Sequence, residues 1–153
     1  MRRPPLNYLI TVVLGGLLWV ATAIAAGQRL GDSVVLQEMT TEEFVATYRT
    51  VLGVTAAAGV AGCLAWYFYG GRDAVAARLA DARRTWTLLF VVQLGVAVAA
   101  LATMAVLFSG ESLTGGNYAV IFLLLALQTV LLFWACSLLL SPRAVEYVPW
   151  GKR

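Results

Sequence analysis

The chain has no histidine among its 153 residues. That single absence removes axial haem ligation by His, His-based zinc centres and nucleophile–His catalysis together. Charge is scarce as well: 12% of residues are charged, against about 25% in a soluble domain. With 61% hydrophobic residues and a mean hydropathy of +0.81, too little charge is left to cover a water-facing surface. Cysteine is down to two, Cys63 and Cys136, far apart and each inside an apolar run. That pattern fits neither a disulfide framework nor a C-x-x-C redox motif. No strand–loop–helix context surrounds Gly15–Gly16 or Gly115–Gly116, so neither reads as a phosphate cradle. Internal repeats of the transporter kind are missing too, since the two hairpins differ in loop length and character.

What the chain does have is four long uncharged or nearly uncharged runs. Each is long enough to cross a bilayer at about 1.5 Å per helical residue. The expected fold is an all-α membrane protein, a four-span antiparallel transmembrane helix bundle forming one domain over 1–153. The spans are placed at about 6–26, 48–69, 86–108 and 118–140, with an outward segment over 27–47, an amphipathic connector over 70–85 and a tail over 141–153. The basic start and small-residue end of the first run resemble a cleaved leader. Its length exceeds the usual apolar core of about 7–15 residues, so retention is expected.

Local signals sharpen these boundaries. Thr40–Glu43 reads T-x-x-E, a capping box that starts the second helix near Thr41, with Glu42 and Glu43 at the positive end of its dipole. Gly53, Ala57 and Ala61 recur every four residues, as do Gly95, Ala99 and Thr103. Such rows let helices approach closely, so spans two and three are expected to pack on each other while much of span four faces lipid. Trp66, Tyr67, Phe68 and Tyr69 read as an aromatic belt at the headgroups. Val75, Leu79, Ala82 and Trp86 share one stripe of the connector.

The connector also carries Arg72, Arg78, Arg83 and Arg84, which fixes orientation, because Lys- and Arg-rich loops stay cytoplasmic. Placing both termini and the connector on that side collects nine of the eleven basic residues and three of the eight acids, a net +6; the opposite side holds −3. A bacterial inner (plasma) membrane fits this asymmetry. The four arginines are candidate contacts for anionic lipid. The basic residues are accounted for by orientation, and nucleic acid is not among the expected partners.

No Asp, Glu, Lys or Arg falls in the middle of a span, which weakens any proton- or ion-coupled path. The polar residues that do occur within the spans are Thr11, Cys63, Gln93 and Cys136 at similar depth, and Gln128 near the midplane. They read as interhelical polar contacts, with a headgroup-lined cavity as the competing reading. No catalytic residue, cofactor or metal ligand is assigned. The functional expectation is a non-catalytic accessory or structural subunit of a larger membrane protein complex, with Tyr147 and Trp150 of the tail as candidate partner contacts. The alternative is a small oligomeric channel or carrier for a neutral or lipid-like solute. Partners under these readings are membrane lipids and other membrane subunits, or further copies of the chain.

Overall fold

The structure is a computed structural model that describes residues 5–34, 36–70 and 79–139. Arg72, Arg78, Tyr147 and Trp150, with half of the connector and the whole tail, lie outside the described residues. The described chain is helical, with no strand, and falls into four rods. The first is α1 (Pro5–Val20), a π-helical stretch π1 (Ala21–Ala26) and α2 (Gly27–Ser33). The second is α3 (Thr41–Ala65) followed by π2 (Trp66–Gly70). The third is α4 (Leu79–Leu107), and the fourth is α5 (Gly115–Ala126), π3 (Leu127–Leu131) and α6 (Leu132–Leu139). Each rod holds a stretch long and apolar enough to cross a membrane: Tyr8–Asp32, Thr41–Phe68, Asp81–Leu107 and Gly115–Ser137.

The helix starts follow from their caps. Thr40 accepts from the Glu43 backbone N–H while the Glu43 carboxylate takes the Thr40 N–H, the reciprocal pair that the T-x-x-E pattern predicts. Thr114 does half of this for α5, accepting from Asn117 N. The first rod continues as helix to Ser33, so the start of the outward segment is helical. The third rod begins at Leu79, so the end of the connector is continuous with the third candidate span.

Contacts fix the relative directions. Phe44 packs against Phe108 with tilted rings whose centroids are 4.5 Å apart, while Gln93 lies at Gly62, so the second and third rods are antiparallel. A side chain at Gly31 would meet Val45 and one at Gly15 would meet Val60, which makes rods one and two antiparallel as well. Rods two and four run the same way, since Thr55 reaches Gln128 and Tyr67 reaches Cys136.

The core has two clusters. At the Phe108 end are Phe44, Tyr48, Leu52, Met104, Phe108, Ile121 and Leu125; at the Trp86 end are Cys63, Trp66, Tyr67, Trp86, Leu132, Phe133 and Cys136. Rods two and four supply nearly all of the Trp86-end cluster, while all four rods contribute to the other. The apolar stretches of rods two and four are 44% and 39% buried, against 24% and 22% for rods one and three.

This distribution corrects three expectations. Gly95, Ala99 and Thr103 are exposed and do not face α3; a Cβ on Gly95 would meet nothing within 4 Å. The fourth rod is a core element on one side, with Ile121, Leu125, Leu132 and Phe133 buried, while Val120, Leu123 and Leu131 of its other side are exposed. Trp66 and Tyr67 are buried and not part of a surface belt, and of that run Phe68 is the one whose ring is seen exposed. The reason is common to all three: a row of small or aromatic residues states what a face can do, and the neighbouring rods decide which way it turns.

Close approach between rods two and four rests on Gly59, where an added Cβ would collide with the Gln128 carbonyl oxygen. That obstacle is backbone and cannot swing aside. Gly59→Ala is expected to destabilise the fold by about 1–3 kcal/mol, the usual overpacking range, read as a lowered unfolding midpoint in detergent.

Candidate functional site

The middle layer is built on Gln128, which is fully buried in π3. Its amide nitrogen donates to the Thr22 hydroxyl of π1, and its carbonyl accepts from the Thr55 hydroxyl of α3 at 3.3 Å. One amide thereby joins three rods. Thr22 also donates back to its own helix at the Leu18 carbonyl, 2.7 Å away. A π-turn spaces the ladder unevenly and leaves carbonyls free for outside donors. Here the Thr22 carbonyl accepts from Tyr48 Oη at 3.2 Å, and the Ala23 carbonyl from Arg49 Nε at 3.4 Å.

The second layer lies toward the Trp86 end. Thr11 Oγ1 and Tyr67 Oη are 3.0 Å apart, and Tyr67 Oη donates to the Cys136 carbonyl at 3.3 Å. Cys63 and Cys136, from different rods, are both free and buried in this layer. Trp86 Nε1 closes the layer on Ser137 Oγ at 2.9 Å.

Gln93 stands apart. Its Nε2 donates to the Ala58 carbonyl at 3.3 Å, and its side chain lies where a Cβ on Gly62 would sit. Its Oε1 is buried without a partner. The structure therefore brings Thr11, Cys63 and Cys136 together with Tyr67, places Gln128 in a separate network, and sets Gln93 between α3 and α4 alone. Arg83 and Arg84 are exposed on the first turns of α4.

A third polar site joins the loops at the Phe108 end. The Glu111 carboxylate accepts three successive backbone N–H groups, from Gln37 at 2.6 Å, Glu38 at 3.2 Å and Met39 at 2.8 Å. Gln37 Nε2 adds a bond to Ser112 Oγ at 2.6 Å. Among the described residues Glu111 is the one charged side chain in the buried class. Three donors on one carboxylate satisfy N–H groups that no helix serves, and they pin the segment before α3 to the loop before α5.

Sequence reasoning overlooked Glu111, Thr22, Thr55 and Tyr67. Glu111 had a signal, being the only charge in a Gly-rich turn. Thr22 and Thr55 sit in alanine-rich runs where nothing marks them as bonded across rods. Tyr67 was hidden by its aromatic neighbours.

These groups are hydroxyls, amides and thiols facing one another across helices. Among the described residues no group of three or more Cys, Asp or Glu could hold a metal ion. No family model matches the chain, and neither a curated protein nor a solved structure matches it.

The two glutamines separate cleanly by experiment. Gln128→Leu breaks bonds to two rods and is expected to lower stability by about 1 kcal/mol, with the loss coupled to Thr22→Val in a double-mutant cycle. Gln93→Leu removes an orphaned acceptor and should leave stability equal or raised. Glu111→Ala strips three N–H groups of their acceptor and is expected to cost about 1–3 kcal/mol, measured by unfolding in detergent.

Proposed function

We propose that the chain is a non-catalytic structural subunit of a membrane protein assembly, crossing a bacterial inner membrane four times with both ends and the connector in the cytoplasm. The observation that carries this reading is the outer face of α4. Gly95, Ala99 and Thr103 form a row suited to close helix packing, and the chain's own rods leave it uncovered. In lipid, helices associate through such rows, because close backbone contact replaces the hydrophobic drive that water supplies.

Two further features support it. The buried side chains Thr11, Thr22, Thr55, Gln128 and Ser137 are spent on bonds between or within rods. A solute path through one chain would want such groups facing an opening. The charge asymmetry of +6 against −3 supports this orientation. Arg83 and Arg84, exposed at the start of α4, are then placed for anionic headgroups, as Arg72 and Arg78 are by sequence.

The test is isolation of the protein from its own membrane in mild detergent, with the stoichiometry of what remains bound. Wild type is expected to run as a defined complex. Gly95→Ile with Ala99→Ile should dissociate it while leaving the unfolding midpoint of the isolated chain within about 0.5 kcal/mol of wild type, as for substitutions that touch nothing within the fold. A wild-type chain that isolates as a bare monomer overturns the proposal, and solute flux through liposomes holding this chain alone would favour the channel or carrier.

A further inference from the structure

Two buried polar atoms of opposite kind are left over where α3 and π2 meet α4. Gln93 is 2% exposed and Trp66 fully buried, yet neither Gln93 Oε1, an acceptor, nor Trp66 Nε1, a donor, has a hydrogen-bond partner. From this pair we infer that the seam between the second and third rods binds the hydroxyl group of a membrane-soluble alcohol, a neutral O–H carried on an apolar body. The inference does not rest on the assembly role proposed above.

Placement brings the two groups to one seam. Gln93 fills the space over Gly62, which has no side chain of its own, and its Nε2 is tied to the Ala58 carbonyl at 3.3 Å. Trp66 continues α3 in helical conformation one turn beyond Gly62, a rise of about 6 Å. It is buried in one cluster with Trp86 of α4, and Leu89 and Phe90 of α4 pack against that cluster. Side chains on a helix lean toward the N-terminus of their own helix. The second and third rods are antiparallel, so Trp66 and Gln93 lean toward one another's level. An oxygen bonded on both sides spans about 5 Å between its partners, close to that turn of separation.

The two orphans select the ligand. Trp66 needs an acceptor and Gln93 needs a donor, and a single hydroxyl is both. An ether or ketone oxygen accepts from Trp66 but brings no proton for Gln93. An ammonium or carboxylate would bring a charge into an apolar setting, at heavy cost. The approach from lipid is apolar and shallow. On α3 it runs past exposed Ala61 and half-buried Ala58 and Ala65, and on α4 past exposed Val92. An apolar body lies comfortably along that edge while its hydroxyl reaches inward. Thr11, Thr22, Thr55, Gln128 and Ser137 are all spent on bonds within the fold, whereas this pair is held at a cost to stability.

The experiment uses the full chain in phosphatidylcholine nanodiscs with isotope-labelled tryptophan, so that each indole N–H gives its own magnetic-resonance signal. Trp66→Phe assigns the signal of Trp66. Decanol is the probe, and its isomer nonyl methyl ether is the control that can accept but not donate. Decanol is expected to shift the Trp66 signal saturably, while the signal of Trp86, already bonded to Ser137, stays in place. The ether should bind about tenfold more weakly, the equivalent of one unmade buried hydrogen bond. Gln93→Leu should bring decanol down to the affinity of the ether while its unfolding midpoint, measured alongside, is unchanged or raised. A Trp66 signal that decanol does not saturate would overturn the site, as would equal affinity for alcohol and ether in wild type. A Trp66 N–H in contact with a long-lived water and unmoved by decanol would make water the occupant, and overturn it too.

Discussion

The Gln128 carbonyl lies so close to Gly59 that a single methyl group between them would collide with it. Much of the interior follows from that approach. Eight residues on from Gly59 stands Tyr67, eight on from Gln128 stands Cys136, and Tyr67 Oη bonds the Cys136 carbonyl. Rods two and four therefore run parallel in one register across both polar layers, with a backbone carbonyl of the fourth rod turned to the second at each. In that register Thr55 reaches the Gln128 amide, and Cys63 and Cys136 fall in one buried cluster. Where hydrocarbon surrounds a helix, burying apolar area yields little, and close packing with interhelical hydrogen bonds must hold the rods. A glycine at the tightest point is what lets both act at once.

The π-helical stretches serve the same end. Along rod one Thr11, Gly15, Trp19, Ala23, Gly27 and Gly31 form an inward row, one every fourth position, with Thr22 and Leu30 buried beside it. Four residues overrun a 3.6-residue turn by about 40°, so in a straight α-helix this row would wind away from its neighbour. The wider turn of Ala21–Ala26 takes up part of that excess, and Gly27 and Gly31 still lie against Tyr48 and Val45 of α3. Gln128 and Tyr67 likewise stand in π stretches, so each of the two polar layers passes through at least one. The uneven ladder has a use here: it frees carbonyls that Tyr48 and Arg49 then claim.

Legibility divides along this line. Properties that depend on composition or on a local motif could be read directly: four apolar stretches from hydropathy, and the start of α3 from Thr40 and Glu43. Properties that depend on which face meets which rod could not. Gly95, Ala99 and Thr103 carry the same spacing as a buried row and lie outside, while Thr55, Gly59 and Gly62, with no regular four-residue spacing, lie inside. Polar residues were found by type and missed by partner. Gln128 was visible as a lone amide in an apolar run, but its partners Thr22 and Thr55 come from two other rods. Glu111 depends on three backbone N–H groups more than seventy residues earlier, a relation that leaves no trace in spacing.

The third rod shows how one helix can serve two sets of neighbours. Its inward side places Ala97, Ala100, Met104 and Phe108 in the core. Its outward side would be costly in hydrocarbon if the Thr103 hydroxyl stood unpaired there, but that hydroxyl donates to the Ala99 carbonyl at 2.9 Å. The face is thus self-sufficient in its polar groups and smooth in its contour. Such a surface tolerates lipid while uncovered and offers a second helix close backbone contact without a desolvation penalty. The proposed role as an assembly subunit needs both properties, since a subunit must survive insertion before its partner arrives. A face built around an unsatisfied polar group would bind a partner more insistently but would be far less stable alone. Rod three has the contour of an interface and the chemistry of a lipid-facing surface.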